Sequence, residues 1–104
     1  ELTKPMHILI NFNQLKFIHK DIFKFLFVRI HDLSLSLNQI DLIHPNAFSH
    51  LTLLESLNIS HNRIKFLDSD CFHGLFRVEK LDISFNKIEI IESFLFQDLS
   101  SLKT

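Results

Sequence analysis

Apolar positions recur along the chain with a spacing of 24 or 25 residues. The pattern Ile/Leu-x-Ile/Leu-x-x-Asn-x-Ile/Leu occurs four times, and its asparagines are Asn13, Asn38, Asn62 and Asn86. Six apolar columns share this period: Ile8, Leu33, Leu57, Leu81; Ile10, Leu35, Ile59, Ile83; Leu15, Ile40, Ile64, Ile88; Ile18, Ile43, Leu67, Ile91; Phe23, Phe48, Phe72, Phe96; and Leu26, Leu51, Leu75, Leu99. Such a period predicts a solenoid in which every unit packs on its neighbours.

Each repeat contains one stretch with the alternation of a half-buried strand. In Leu57-Asn58-Ile59-Ser60 the two aliphatic residues point inward and the two polar residues point outward. Successive strands are joined by more than a dozen residues, which is long enough for the crossover that parallel pairing requires. Turn-forming residues interrupt that path at His44-Pro45-Asn46 and Asp68-Ser69-Asp70. We therefore expect extended segments with short 3₁₀ or α turns on the convex side.

The polar and aromatic columns have predicted structural roles. An amide side chain both donates and accepts hydrogen bonds, so stacked asparagines can satisfy buried backbone groups of adjacent units. We expect Asn13, Asn38, Asn62 and Asn86 to form such a ladder. The phenylalanine column should form an aromatic spine beneath the convex face. The segment from Leu26 to Leu33 is one residue longer than its counterparts, and a bulge within residues 27–30 should absorb the extra residue.

The chain resembles the leucine-rich repeat family over its whole length. The unit length and the phenylalanine column look like the typical extracellular subclass. Leu57-Asn58-Ile59-Ser60-His61-Asn62-Arg63-Ile64 and Leu81-Asp82-Ile83-Ser84-Phe85-Asn86-Lys87-Ile88 are similar to repeats of Toll-like receptor ectodomains. The resemblance implies an α/β repeat fold, a leucine-rich repeat solenoid with a parallel four-stranded concave sheet and a convex side of loops and short turns.

The repeat pattern divides residues 1–104 into a single segment of four units, at about 6–30, 31–54, 55–78 and 79–102. Solenoids need polar or disulfide-bonded caps at their ends, and the cysteine-rich cap spacings of the family are missing. We therefore expect an uncapped fragment of a longer protein.

Composition excludes few kinds of partner. The formal net charge is -1, with 11 basic and 12 acidic residues interspersed, so charge gives no indication of nucleic-acid binding. No apolar run approaches the roughly 18 residues that a membrane span needs. The single cysteine cannot form an internal disulfide bond.

The sequence predicts neither catalysis nor a cofactor. Residues 68–73 are the only cluster with metal-ligand chemistry, but their spacing matches no zinc pattern, so we interpret them as a solvated turn beside an unpaired, partly covered Cys71 thiol. No Ser-His-Asp or Cys-His pairing follows the repeat geometry. Gly74 is the only glycine, which excludes a glycine-rich phosphate loop.

A partner is expected to contact the outward side chains of the concave sheet, because the scaffold displays them without needing them. The most informative column lies at the strand ends, where apolar residues stand beside polar neighbours as at many binding surfaces. An alternative interpretation of this column is that its bulky residues only cover the asparagine ladder. The predicted contact residues are Phe12, Leu37, His61, Phe85, Arg63, Lys87, Asp32, Lys80 and Asp82.

Asn58-Ile59-Ser60 is an N-glycosylation motif whose asparagine should face outward. A glycan there would crowd the concave surface and move ligand contacts to an edge or to the convex side.

The resemblance implies non-enzymatic recognition by part of a Toll-like or other cell-surface receptor ectodomain. A protein or microbial ligand would be the partner, the location would be extracellular, and the full-length receptor would dimerise to signal in innate immunity. Two alternatives remain: a secreted matrix or adhesion protein, and an intracellular regulatory scaffold that binds an enzyme.

Overall fold

The chain folds as a stack of rungs, each built from one repeat. A computed structural model describes residues 6–11, 13–19, 22–23 and 29–104. Its strands are β1 (Met6–Leu9), β2 (Phe17–Ile18), β3 (Ile30–Ser34), β4 (Leu42–Ile43), β5 (Ser56–Asn58) and β6 (Lys80–Asp82). A four-stranded sheet has the order β1-β3-β5-β6, and β2 and β4 form a second sheet. All pairs are parallel, which confirms the predicted solenoid.

The register follows the sequence repeat. Leu57 of β5 lies between Leu33 of β3 and Leu81 of β6, so residues of one apolar column are direct neighbours across the sheet. Every strand therefore buries the same side against the same interior, and one continuous core runs through the stack.

Turns with 3₁₀-type hydrogen bonds form the path between the two sheets. The backbone N–H groups of Ala47, Ser49 and Leu51 donate to carbonyls three residues earlier at 3.2, 3.1 and 2.9 Å. The following repeat continues in the same way at Cys71, His73 and Leu75. No α-helix occurs in the described residues, so the convex turns are of the 3₁₀ type rather than α. None of the described residues forms a helix that could cross a membrane.

The core is densest in the middle of the stack. Ile43 and Leu67 are buried, and the Phe48 and Phe72 rings are fully enclosed between rungs. Phe23 stacks on Phe48 with ring centroids 5.8 Å apart, as predicted for an aromatic spine. Leu26 of the last apolar column lies outside the described residues.

Two core predictions are wrong at the last rung. Ile91 and Phe96 belong to buried columns, yet both are exposed. Phe96 stacks on Phe72 with one ring face, at 6.2 Å, and no further described rung covers its other face. Leu99 is buried at this rung as its column predicts, and Leu95 is buried beside it.

The extra residue of the second repeat enters the sheet itself. Met6 pairs with Ile30 and His7 pairs with Asp32, so His31 is left without a partner opposite it on β1. The sequence places the irregularity within residues 27–30, of which 27 and 28 lie outside the described part. Within β3 the bulge falls one residue later than predicted, at the strand's start.

Stacked asparagine side chains tie the rungs together where the strands end. The Asn62 Nδ2 donates to the carbonyls of Leu35, Ile59 and Ser60 at 3.1, 3.1 and 3.0 Å, and its Oδ1 accepts from the Ile40 N–H at 3.0 Å. These bonds reach both its own repeat and the preceding one.

Asn38 and Asn86 repeat the arrangement. Asn38 Nδ2 donates to the Ile10 carbonyl at 2.8 Å, and Asn86 Oδ1 accepts from the Ile64 N–H at 3.1 Å. Asn13 differs from the expected ladder: it is exposed, and its described hydrogen bond is a local one to the Asn11 carbonyl at 3.0 Å. No described rung precedes Asn13 to supply buried backbone groups.

Candidate functional site

A left-handed turn ends three of the four main strands. Leu37, His61 and Phe85 have φ of 58°, 55° and 54°, a conformation that costs a non-glycine residue about 1 kcal/mol or more. The Leu37 and His61 N–H groups donate to the Ser60 and Ser84 carbonyls of the next rung at 3.3 and 3.0 Å. These bonds between rungs offset the cost of the turn.

The turn projects its side chains into solvent as one row. Leu37 is 40% exposed and Phe85 is 73% exposed. His61 lies between them and stacks on Phe85, with ring centroids 4.3 Å apart and planes inclined by 10°. We call Leu37, His61 and Phe85 the strand-end row. Phe12, which the sequence places in the same column, lies outside the described residues.

Two cations stand beside the strand-end row. Arg63 and Lys87 are both exposed, and each follows a ladder asparagine by one residue. Their backbone N–H groups donate to the Ile40 and Ile64 carbonyls at 2.8 and 2.9 Å. The backbone is therefore fixed, while the guanidinium and ammonium groups remain available for contact.

Two other predicted contact residues lie further back on the strands, Asp32 within β3 and Lys80 at the start of β6. Asp32 accepts from His7 at 3.3 Å. Asp32 and Lys80 line an open depression of about 460 Å³ together with His31, Glu55 and Glu79. Phe85 instead lines a separate depression with Ile83, Asn86, Ile88, Glu89 and Ile91. The predicted contact residues that the structure describes therefore do not line one continuous cleft.

Asp82 is held as a carboxylate by its own strand. Its Oδ1 accepts from the Ser84 hydroxyl at 2.6 Å and from the Ser84 N–H at 3.0 Å. These two hydrogen bonds, and more weakly the nearby His61, lower the pKa of Asp82 below its ordinary value. A fixed negative charge therefore lies three residues before Phe85.

Asn58 holds the equivalent position one rung earlier. Its Oδ1 accepts from the Ser60 hydroxyl at 2.6 Å and from the Ser60 N–H at 2.9 Å. The Oδ1 is thus occupied within the motif, and the side chain is half-buried in the sheet. Glycosylation would have to occur through the Nδ2 of this oriented amide.

Serines that the alternation turned outward are partly withdrawn from the surface. Ser34, Ser36 and Ser60 are buried, although the sequence placed them among the displayed residues. Asn11 Oδ1 accepts from the Ser34 and Ser36 hydroxyls at 2.7 and 3.0 Å, so the larger amide covers them. The burial of these serines could have been predicted from the sequence, because their columns place a small hydroxyl residue beside a larger amide of the neighbouring repeat.

The convex cluster has no reactive group. Cys71 is buried, and desolvation, with a smaller contribution from Asp68, raises the pKa of its thiol to about 12. The Asp68 Oδ1 accepts from the Asp70 N–H at 2.8 Å, as expected of a turn. Within the described part of the chain no three His, Cys, Asp or Glu residues could hold a metal ion. Cys71 was expected to be partly covered, whereas it is fully enclosed.

A further contact between repeats was not anticipated from the sequence. His73 Nδ1 lies 2.9 Å from Asp98 Oδ2, and the same oxygen accepts from the Gly74 N–H at 3.0 Å. The two residues are 25 positions apart, so the repeat period could have indicated their contact.

Comparison with known proteins agrees with this geometry. A sequence profile described as leucine rich repeat matches residues 6–64 and 52–104. No curated protein sequence matches the chain. Among solved structures 41 chains match. One is the crystal structure of the TLR13–ssRNA13 complex, with 29% identity and a TM-score of 0.73, over 86% of this chain and 12% of that one.

The chain thus spans a small part of the Toll-like receptor that it resembles. Its repeat register, its parallel strands and the profile match agree, and the chain belongs to the leucine-rich repeat family.

Proposed function

We propose that this chain is a ligand-recognition segment of a Toll-like or other cell-surface receptor ectodomain, and that its strand-end row contacts the partner. The observation that carries this proposal is the exposed, stacked His61–Phe85 pair on a hydrogen-bonded left-handed backbone. A rigid aromatic surface loses little entropy on binding, which favours its use as an anchor.

Charged side chains around the strand-end row correspond to the polar rim of a binding surface. Arg63 and Lys87 lie on one side, and the carboxylate of Asp82 lies on the other. A partner that combines an apolar or planar group with both signs of charge would match this surface, as a protein does. Lys80 and Asp32 extend the rim along the sheet edge.

Binding to purified extracellular proteins and microbial polymers, immobilised as an array, tests the row. Phe85→Ser should abolish the binding of any specific partner, whereas Phe76→Ser should leave it unchanged. Phe76 is a suitable control because it is also an exposed phenylalanine but lies in the turn region between the sheets. Partners that bind equally to both variants would contradict the assignment of the row.

A second candidate function is binding of single-stranded RNA. It is favoured by the flat His61–Phe85 pair beside two cations, since stacking and backbone neutralisation are how single strands are held. The similar Toll-like receptor structure is a complex with such an RNA. Fluorescence anisotropy with a labelled RNA of about 15 nucleotides tests it. Binding that disappears in Phe85→Ser and weakens with salt supports this candidate, and no binding at low salt excludes it.

An extracellular location is part of the proposal. Secretion from a eukaryotic host should attach a glycan at Asn58, so a peptide glycosidase should reduce the mass of the chain. Asn58→Gln is the control that should show no change. An unglycosylated secreted chain would remove the support that this motif gives to an extracellular receptor.

A further inference from the structure

A row of exposed apolar side chains runs along the second sheet, away from the strand-end row. Phe17 pairs with Leu42 between β2 and β4, and Phe66 forms a parallel bridge to Ile90. Their exposed fractions are 51%, 45%, 45% and 63%. The next residue is buried in the first three repeats, at Ile18, Ile43 and Leu67. We call Phe17, Leu42, Phe66 and Ile90 the return-side ridge.

The exposed apolar area of the ridge is in the range of functional surface patches. A phenylalanine carries about 200 Å² of surface, so four half-exposed apolar side chains present on the order of 400 Å², which is the size of the largest patch on typical monomers. The backbone beneath it is fixed, because Asp41 N–H donates to the Lys16 carbonyl at 2.9 Å and Glu89 N–H to the Lys65 carbonyl at 3.2 Å.

Charges along the ridge alternate in sign from rung to rung. The residue before each ridge position is Lys16, Asp41, Lys65 or Glu89, and all four are exposed. None of the four forms an ion pair or hydrogen bond through its side chain with another described residue. The order is therefore plus, minus, plus, minus, with every charge free for an intermolecular contact.

When this order of charges is reversed and placed against itself, every charge meets one of opposite sign. A two-fold axis across the middle of the ridge brings the first rung of one copy against the fourth rung of the other. Lys16 then faces Glu89, and Asp41 faces Lys65, and symmetry makes each contact twice. In the column on the other side of the ridge, Glu92 would face His19 and Asp68 would face His44, so no two acidic residues meet.

A parallel arrangement lacks this match. With the axis along the ridge, the two flanking columns would face each other rung by rung. Glu89 would then lie against Glu92 of the other copy, so two carboxylates would meet twice, and among the Lys, Asp and Glu residues only Lys65 and Asp68 would form an opposite-charge contact. Like charges directly opposite destabilise an interface, so the antiparallel arrangement is favoured.

We propose that the return-side ridge is the interface of an antiparallel homodimer of this chain. The ridge of one copy covers the ridge of the other, and the column of Lys16, Asp41, Lys65 and Glu89 supplies four contacts between opposite charges beside it. The apolar area buried, on the order of 800 Å² over both copies, is below that of a standard specific interface, which predicts a weak, reversible dimer. The ridge is independent of the ligand row, so failure of one proposal leaves the other standing.

Sedimentation velocity over roughly 1–100 µM protein tests the dimer. The wild-type chain should dimerise within this range. Phe66→Ser should raise the dissociation constant at least about tenfold, because it removes two central anchors from the symmetric interface. Arg77→Glu, a charge reversal at an exposed position outside the ridge and its flanking columns, should dimerise as the wild type does.

Charge reversal distinguishes the pairing from other modes of association. Asp41→Lys alone and Lys65→Glu alone should each weaken self-association about tenfold, since each places like charges opposite twice. A mixture of the two variants should recover a heterodimer. In that heterodimer the Asp41→Lys side chain of one copy faces the Lys65→Glu side chain of the other, while the unchanged Lys65 of the first copy faces the unchanged Asp41 of the second.

Three results would overturn the proposal. The first is a monomeric wild type throughout the concentration range. The second is the absence of recovery in the mixture. The third is association that survives Phe66→Ser but is lost in Ile91→Ser, since exposed Ile91 lies at the last rung and would report end-to-end stacking instead.

Discussion

Replacing the central ladder asparagine with alanine should destabilise the chain far more than the same change at the first rung. Asn62→Ala removes the acceptor of the Ile40 N–H, which is buried in the neighbouring return segment. The carbonyls that lose Asn62 each keep another donor. Leu35 O retains Asn38 Nδ2 at 2.9 Å, Ile59 O retains Asn86 Nδ2 at 3.0 Å, and Ser60 O retains the Leu37 N–H at 3.3 Å.

The cost of Asn62→Ala therefore comes mainly from one orphaned donor. A buried N–H without a partner costs about 1–3 kcal/mol, and the weakened carbonyl bonds bring the expected loss to about 3 kcal/mol. Asn13→Ala should cost less than about 0.5 kcal/mol, because Asn13 is exposed and its described hydrogen bond is local. The loss of stability caused by Asn38→Ala should lie between these two values. The Leu15 N–H is 3.4 Å from Asn38 Oδ1, so the hydrogen bond that this substitution removes is a weak one.

Urea unfolding followed by circular dichroism measures these differences. With a urea dependence of about 1.5 kcal/mol/M, Asn62→Ala should lower the midpoint by about 2 M at unchanged slope. Equal midpoint shifts for Asn62→Ala and Asn13→Ala would refute the reasoning, because the two sites share side chain and column and differ in burial.

Two further predictions concern single positions on the convex side. Cys71 should react with iodoacetamide at pH 8 about a thousandfold more slowly in the folded chain than in urea, because burial raises the pKa of its thiol from 9.0 to about 12. The same shift lowers the free energy of unfolding above pH 9, because the thiol ionises in the unfolded chain before it ionises in the folded one. The loss is up to about 1.4 kcal/mol per pH unit until pH 12. A Cys71→Ala variant whose stability declines equally steeply would contradict this. Gly74→Ala should cost about 1–2 kcal/mol by urea unfolding, because Gly74 has a φ of +89° and an added Cβ would meet the Ser49 carbonyl oxygen at 3.2 Å; an unchanged midpoint would show that the turn relaxes.

The repeat period predicted the solenoid well because every apolar column recurs in all four repeats. Leu33, Leu57 and Leu81 pair in the register that the period requires. The period failed at the boundaries of the described stack. Ile91 occupies the same column as the buried Leu67, and only the neighbouring rung decides which of them is covered. Burial in a solenoid is a property of two rungs, which the residues of one repeat do not encode.

The candidate site was predictable in position but not in conformation. The sequence identified Leu37, His61 and Phe85 as displayed residues because they precede the ladder asparagines. Their left-handed backbone was not predicted, since Leu37 and Phe85 are residue types that rarely adopt positive φ, although histidine is enriched there. The stacking of His61 on Phe85 depends on that conformation, so it could not be predicted either. The return-side ridge was not predicted, because the sequence pattern was used only to identify buried positions and gave no role to the exposed residues beside them.

The strand-end row and the return-side ridge lie on different sheets that share one core. Residues of the row follow the strands of the four-stranded sheet, and residues of the ridge belong to β2, β4 and the bridge at Phe66. A partner on the row therefore need not displace a second copy on the ridge. Because backbone hydrogen bonds between rungs hold both surfaces, neither has to order on binding, and the entropic cost of each contact is low. If both proposals hold, two copies joined at their ridges would present two strand-end rows, and a partner able to reach both would bind with the gain of a bivalent contact.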